Sequence, residues 1–215
     1  AVCPMMSPTE AACRWPMKNR GEEMELRCAW VTRDPEYIEY HDKQWGRPVR
    51  DPRELFAKLC LDGQQAGLSW ITILKRTESY HRAYADFDPV RIVQFDEQDV
   101  ERLMQDTGII RNRLKVQSII KNARAYLALE AEGIDFVEYL WGFVGGAPIV
   151  NQRQGNGDIP ATSKESDAMS KALKKRGFTF VGSTICYAFM QAVGMVNDHL
   201  VTCPCHAGCQ QAAAT

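Results

Sequence analysis

Four residues near the two ends of the chain are of the types a borderline-soft divalent cation takes: Cys28 with His41, and His199 with Cys203. One thiolate and one imidazole from each pair complete the four ligands of a tetrahedral Cys2His2 site, which leaves no open coordination position and so serves structure rather than chemistry. If residues 199–203 are helical, the i, i+4 spacing puts His199 and Cys203 on one face. The first pair is more widely spaced, Cys205, His206 and Cys209 are competing ligands, and ordinary surface or capping histidines account for the same letters.

A second group stands in Cys60-Leu61-Asp62-Gly63-Gln64-Gln65-Ala66-Gly67-Leu68-Ser69-Trp70, where one acid, two amides and an indole interrupt an apolar stretch. A packed core does not ask for that mixture. The Asp62-Gly63 step reads as a break between two helical runs. Asp62 at that boundary is either a capping aspartate or a carboxylate turned into a polar pocket. Trp30, Tyr37, Tyr40 and Trp45 share one short segment, and Trp70 follows the acid. Two or three such rings facing Asp62 sandwich a flat ring and leave the carboxylate to read its edge, although aromatics at helical spacing also fill cores.

The third group is Thr107-Gly108-Ile109-Ile110-Arg111-Asn112-Arg113. A glycine turn between helices aims backbone N–H groups and a helix N-terminus at a DNA phosphate, with Gly108, Ile110, Arg111 and Lys115 as the contact residues; a plain αα-hairpin with a solvated basic face explains the same letters. The basic run 171–176 has the same two readings.

The elements that must hold these groups follow from punctuation and period. Asp34-Pro35 opens a helix through Tyr40, Asp51-Pro52 one through Leu59, and Asp88-Pro89 one through Phe95. A capped helix runs from Asp96 toward Gly108, and Leu114, Val116, Ile119, Ile120, Ala123, Tyr126 and Leu127 give a long amphipathic helix. Further helices are expected around Phe136 to Phe143, from Asp167 to Arg176 and from Thr184 to Val196, with a long loop before Ser166. No stretch sustains period-two alternation, so the fold class is all-α. Residues 1–24 read as a loose extension, 25–209 as one helical domain with two lobes around a pocket, and 210–215 as a tail.

Composition narrows the partners. In 215 residues, 26 basic and 27 acidic side chains leave a formal charge of −1, so a nucleic acid must be met by a local basic face. No apolar run nears the roughly 20 residues of a membrane span and no signal segment is evident, so a cytoplasmic protein without membrane contact is expected. Eight cysteines in a chain of this length suit reduced thiols and thiolate ligands.

Arg27-Cys28-Ala29-Trp30, Tyr37-Ile38-Glu39-Tyr40-His41-Asp42, Gln44-Trp45-Gly46, Gly63-Gln64-Gln65-Ala66-Gly67-Leu68-Ser69-Trp70, Gly108-Ile109-Ile110-Arg111, Phe180-Val181-Gly182 and Val196-Asn197-Asp198-His199 together resemble the DNA-3-methyladenine glycosylase I family, over essentially Glu25 to Cys205. The resemblance implies a helix-hairpin-helix glycosylase that removes 3-methyladenine from alkylated double-stranded DNA by hydrolysing the N-glycosidic bond, without lyase activity. It further implies structural zinc on Cys28, His41, His199 and Cys203 and free 3-methyladenine as product; Asp62 and Tyr40 are the candidate catalytic residues, Trp30, Tyr37, Trp45 and Trp70 the candidate base-binding rings, and a monomer is expected. The family pattern has Glu where this chain has Asp62, a carboxylate one methylene shorter. The competing readings are a non-catalytic module that binds damaged DNA, a glycosylase with another base preference, or an acid such as Glu130, Glu132 or Asp135 in the chemical step.

Overall fold

The computed structural model describes residues 26–213; the extension expected over residues 1–24, with Cys3 and Cys13, and the last two residues of the tail lie outside the described residues. The Asp-Pro steps behave as their chemistry dictates. Proline at the first turn needs no N–H partner, and the preceding carboxylate accepts from an N–H the helix leaves free. Asp34 accepts from Glu36 N at 3.0 Å ahead of α1 (Pro35–Lys43), and Asp51 from Glu54 N at 2.9 Å ahead of α2 (Pro52–Gln64). After α3 (Trp70–Leu74) and α4 (Thr77–Ala83), Asp88 accepts from Val90 N at 3.0 Å and opens α5 (Pro89–Ile92).

The expected capping box is present at α6 (Glu97–Gln105): Asp96 accepts from Gln98 and Asp99 N–H groups while Asp99 accepts from Asp96 N. Asn112 then caps α7 (Arg113–Ala131) through Lys115 N at 3.1 Å. The remaining elements are α8 (Phe136–Trp141), β1 (Ile149–Val150), α9 (Lys164–Lys175), α10 (Ser183–Ala192), β2 (Val196–Asn197) and α11 (Pro204–Ala213).

Three expectations need correction. The chain is mainly helical but not all-α: β1 and β2 pair in parallel, Ile149 with Val196 and Val150 with Asn197, in strands too short to show alternation. The last apolar helix ends at Ala192 rather than Val196. Gly194 follows it with φ 74°, and a Cβ there would stand 2.3 Å from the Arg47 carbonyl carbon, so the chain must turn on glycine at that point. Residues 199–203 are a turn rather than a helix, with Cys203 N donating to Leu200 O at 2.8 Å.

The chain divides into two compact units. One comprises the stretch up to Pro48, Ala147–Pro160 and the stretch from Gln191 onward, and holds α1, the β pair and α11. Its buried residues include Cys28, Tyr40, His41, Trp45, His199 and Cys203. The other, Val49–Gly146 with Ala161–Met190, is a helical body organised around α7, which packs against α2, α5, α6 and α8. Leu55, Phe56, Leu59, Val116, Ile119 and Ala123 are buried there, and burial of each large apolar side chain contributes about 1.5–3 kcal/mol. That packing fixes the roll of α2 and hence where Asp62 points.

Candidate functional site

In the first unit, α1 delivers His41 on its last turn and the turn after β2 delivers His199 and Cys203. Cys28 Sγ lies 3.6 Å from His199 Nδ1, and Cys203 Sγ lies 3.7 Å from both His199 Nδ1 and His41 Nε2. Ligand atoms about 2.1–2.3 Å from the centre of a tetrahedron stand about 3.6 Å apart, so the four residues fit a small tetrahedral cation. All four are buried.

Both imidazoles are held from behind. His41 Nδ1 meets Asp42 Oδ1 at 2.7 Å, and Arg27 grips the same carboxylate through Nε at 3.0 Å and Nη2 at 2.7 Å. His199 Nε2 sits 3.0 Å from the Trp45 carbonyl oxygen. Each histidine thus turns one ring nitrogen to a fixed acceptor and the other to the cluster, as oriented metal ligands do. Burial works against the charge on Asp42, yet His41 and Arg27 hold its carboxyl below the usual range. Burial also keeps His199 below its ordinary value, which favours the neutral, ligating form. The competing ligands are otherwise engaged: His206 Nε2 faces Asn151 O at 2.7 Å, Cys209 Sγ donates to Trp45 O at 3.9 Å, and Cys205 is disulfide-bonded, against the expectation of reduced thiols.

The expected aromatic group gathers around these histidines. Trp30 contacts Tyr37 at 5.1 Å and Trp45 at 5.0 Å between ring centroids, and Trp45 meets His199 edge-on at 4.6 Å. Tyr40 is buried beside Trp30. These rings belong to the first unit, whereas Asp62 and Trp70 belong to the second.

Asp62 is not at a helix boundary. α2 runs through it to Gln64, so the carboxylate projects from the last turn of an unbroken helix, 2 % exposed. Gly63 permits this: a Cβ there would meet the Phe180 carbonyl oxygen at 3.1 Å, and Phe180 itself holds φ 55°, a strained value for a bulky residue. Oδ1 of Asp62 accepts from Lys58 Nζ at 2.7 Å, one turn earlier. Oδ2 is buried and has no hydrogen-bond partner among the described residues. The same Lys58 Nζ stands 3.6 Å from the centroid of the Trp70 ring. Burial pushes the Asp62 carboxyl up and the Lys58 ammonium down, each against the attraction of the other.

The hairpin is present as α6, a loop over residues 106–112 and α7, but its polar groups are partly committed inward. Gly108 N donates to Asp106 Oδ1 at 2.7 Å and Ile110 N to the Tyr80 hydroxyl at 3.1 Å. Lys115 departs most from expectation: it is 7 % exposed, and its ammonium donates to the Gln64 and Ala66 carbonyls at 2.7 Å each, so it serves the C-terminal end of α2 instead of a phosphate. Arg113 is tied to Glu97 and Glu101, which leaves Arg111 as the exposed cation of the loop tip.

Two participants escaped the sequence reading. Lys58 was detectable as the i−4 neighbour of Asp62 once α2 is taken as continuous. Asp198, fully buried, gathers Asn151 Nδ2 at 2.7 Å, Arg153 Nε at 2.8 Å and Gln191 Nε2 at 2.9 Å, and so anchors the residue before His199. Nothing in the letters marks its three donors, two of which come from a distant segment.

The fold is one already seen in glycosylases that act on methylated bases. A solved structure of a 3-methyladenine DNA glycosylase I is 57 % identical, with a TM-score of 0.83 over 84 % of this chain and 99 % of that one. A second solved structure, of 3-methyladenine recognition by the enzyme from Staphylococcus aureus, is 39 % identical with a TM-score of 0.80 over 84 % of this chain and 96 % of that one. The chain belongs to the methyladenine glycosylase family, whose model matches residues 30–206. It is 57 % identical to DNA-3-methyladenine glycosylase 1 of Escherichia coli over 85 % of this chain and 97 % of the relative. Identity to the DNA-3-methyladenine glycosylase of Haemophilus influenzae is 52 %, over 85 % of this chain and 98 % of the relative.

Proposed function

We propose that this chain is a base-excision repair glycosylase that extrudes 3-methyladenine from alkylated double-stranded DNA and hydrolyses its N-glycosidic bond, with no lyase step. The observation that carries the reading is the state of Asp62: a buried carboxylate whose Oδ2 has no hydrogen-bond partner among the described residues and whose Oδ1 holds the Lys58 ammonium that stands over the Trp70 ring. A buried acceptor left unmet costs about 1–3 kcal/mol, and a base edge that donates N–H groups relieves it.

The chemistry asks little more of the protein. Methylation at N3 makes the purine cationic while it is still attached to sugar, so it leaves without being protonated. Water adds to C1′, the C1′–N9 bond breaks with its electron pair going to the purine, and the water proton passes to solvent. The products are free 3-methyladenine and an abasic site. Asp62 favours the cationic purine over ordinary adenine by charge, and Trp70 offers a π face to the same cation. Arg111, exposed at the helix-hairpin-helix loop tip, is the proposed phosphate contact.

The reading includes one zinc ion held by Cys28, His41, His199 and Cys203, whose S/N donor set and near-tetrahedral spacing suit it. When bound, the ion cross-links the N-terminal and C-terminal segments of the first unit. It takes no part in bond cleavage, because four protein ligands fill its coordination.

Methylated DNA incubated with the purified chain, followed by chromatography of released bases, tests the function. Free 3-methyladenine supports it, and Asp62→Asn is expected to reduce release at least tenfold, the scale of one lost charged contact. DNA binding without a released base favours the damage-binding module, and a different released base the altered preference.

A further inference from the structure

Lys58 is where the base-recognition reading meets a feature that it does not explain. A carboxylate meant to select a cationic purine already holds a cation: Nζ of Lys58 lies 2.7 Å from Asp62 Oδ1 and 3.6 Å from the centroid of the Trp70 ring. Carboxylate edge and indole face are the two partners that the methylated purine needs, and here one ammonium takes both. While it stays, the formal charges of Lys58 and Asp62 cancel, so a base gains the full attraction of the carboxylate only by displacing the ammonium.

The arrangement is built in. Asp62 is 2 % exposed, and Lys58 precedes it by one turn of a continuous helix, so the ammonium cannot drift far from the carboxylate. Its four-carbon stem nevertheless gives it freedom to swing, since the Lys58 side chain retains 16 % of its exposure. Oδ2 stays open among the described residues, so an arriving base has one acceptor atom available before the ammonium leaves the other.

We propose that Lys58 is a placeholder cation and a specificity-determining residue: its ammonium occupies, between Asp62 and the Trp70 ring, the position of the cationic base, so that base entry is an exchange of one cation for another. This rests on the assignment of Asp62 and Trp70 to base recognition. An ordinary neutral adenine lacks the charge to displace the ammonium, whereas a 3-methylated one competes with it. The lysine therefore rejects undamaged bases and lowers affinity for the damaged one.

The test compares two small probes on the full-length chain: 3,9-dimethyladeninium, in which a methyl group stands for the sugar and the charge is kept, and neutral 9-methyladenine. Calorimetric titration of the wild type and Lys58→Met is expected to show the cation bound roughly tenfold more tightly by the variant, with Lys58→Arg close to wild type. Affinity for the cation that is unchanged within about twofold, or weaker, in Lys58→Met overturns the proposal, because a merely structural lysine moves the unfolding midpoint and not this affinity.

A second measurement uses the wild type alone. Acetylation of Lys58, followed by peptide mass spectrometry, is expected to rise when saturating 3,9-dimethyladeninium drives the ammonium outward; equal or lower labelling overturns the exchange. Failure of the underlying reading looks different, since it gives no binding of either probe to wild type and no loss of base release in Asp62→Asn.

Discussion

Gln64 and Lys115 exchange hydrogen bonds in both directions: the Lys115 ammonium donates to the Gln64 carbonyl at 2.7 Å, and the Gln64 side-chain amide donates to the Lys115 carbonyl at 3.1 Å. Gln64 closes α2 two residues after Asp62, and Lys115 lies in the first turn of α7. Tyr80 extends the link, donating to Gln64 Oε1 at 3.2 Å and accepting from Ile110 N at 3.1 Å. The end of the Asp62 helix and the loop between α6 and α7 are thus joined by one buried polar network. Lys115→Met leaves the Gln64 and Ala66 carbonyls without their cation, with an expected loss of about 2–4 kcal/mol in chemical denaturation.

Arg111 and Lys115 separate in a second experiment. Arg111 is exposed and Lys115 is buried, although they are four residues apart. Arg111→Ala is expected to weaken DNA binding and to flatten its log–log salt dependence by about 0.9, the value of one lost phosphate contact. Lys115→Met is expected to leave that slope unchanged. Filter binding or fluorescence anisotropy from low to moderate salt reads both, and a slope change in Lys115→Met restores the phosphate role to the lysine.

The metal reading predicts composition and stability together. Elemental analysis of the purified chain is expected to find one zinc per molecule. Stripping it under denaturing chelation, or Cys203→Ser, lowers the unfolding midpoint by roughly 10 °C or more, because a structural ion contributes its binding energy to folding. The thiols argue the same way: hydrogen bonding to Cys203 pushes the Cys28 thiol up, and the same contact pulls Cys203 down. Two buried thiols this close cannot both ionise unless a cation lies between them. A chain that holds no metal and melts unchanged after chelation sinks this assignment.

Gly46 tests how tightly the histidine is backed. Its φ is 81°, and a Cβ there would stand 2.9 Å from His199 Nε2, the atom that faces the Trp45 carbonyl. Gly46→Ala combines a left-handed backbone with a side chain driven into the His199 ring. About 1–3 kcal/mol of stability is expected to be lost, with reduced zinc content in the same preparation. Retention of full metal content would mean that His199 has room to shift.

Helix starts were written in local chemistry, which is why Asp34, Asp51, Asp88 and Asp96 cap where expected. Helix ends were less readable. α2 passes through Asp62-Gly63 because Gly63 is packed on Phe180, a tertiary contact that overrides the breaker reading of the dipeptide. Cys28, His41, His199 and Cys203 were visible as types, but the turn that joins the last two replaces the expected helix face. Lys115 misled because a lysine near a basic loop looks solvated, and only burial under α2 shows that it caps carbonyls.

Asp62 yields a prediction with a definite sign in pH. Burial raises its carboxyl above the ordinary aspartate value of 3.8, with Lys58 opposing. The charged group facing it is Lys58, one turn earlier on α2, while the Cys186 thiol on α10, pushed up to about 12, is neutral. A raised folded-state value means that folding favours the protonated acid. Its contribution to stability is full below the unfolded value and is lost as pH rises through the folded one. Recognition of a cation runs the opposite way, because only the carboxylate attracts it. Release of 3-methyladenine from methylated DNA is therefore expected to fall on acidification with a midpoint above 3.8, while Asp62→Asn stays low and flat across the same range. In Lys58→Met the loss of the opposing charge moves that midpoint upward. An acid limb that persists unchanged in Asp62→Asn assigns the titration to another group and removes Asp62 from base recognition.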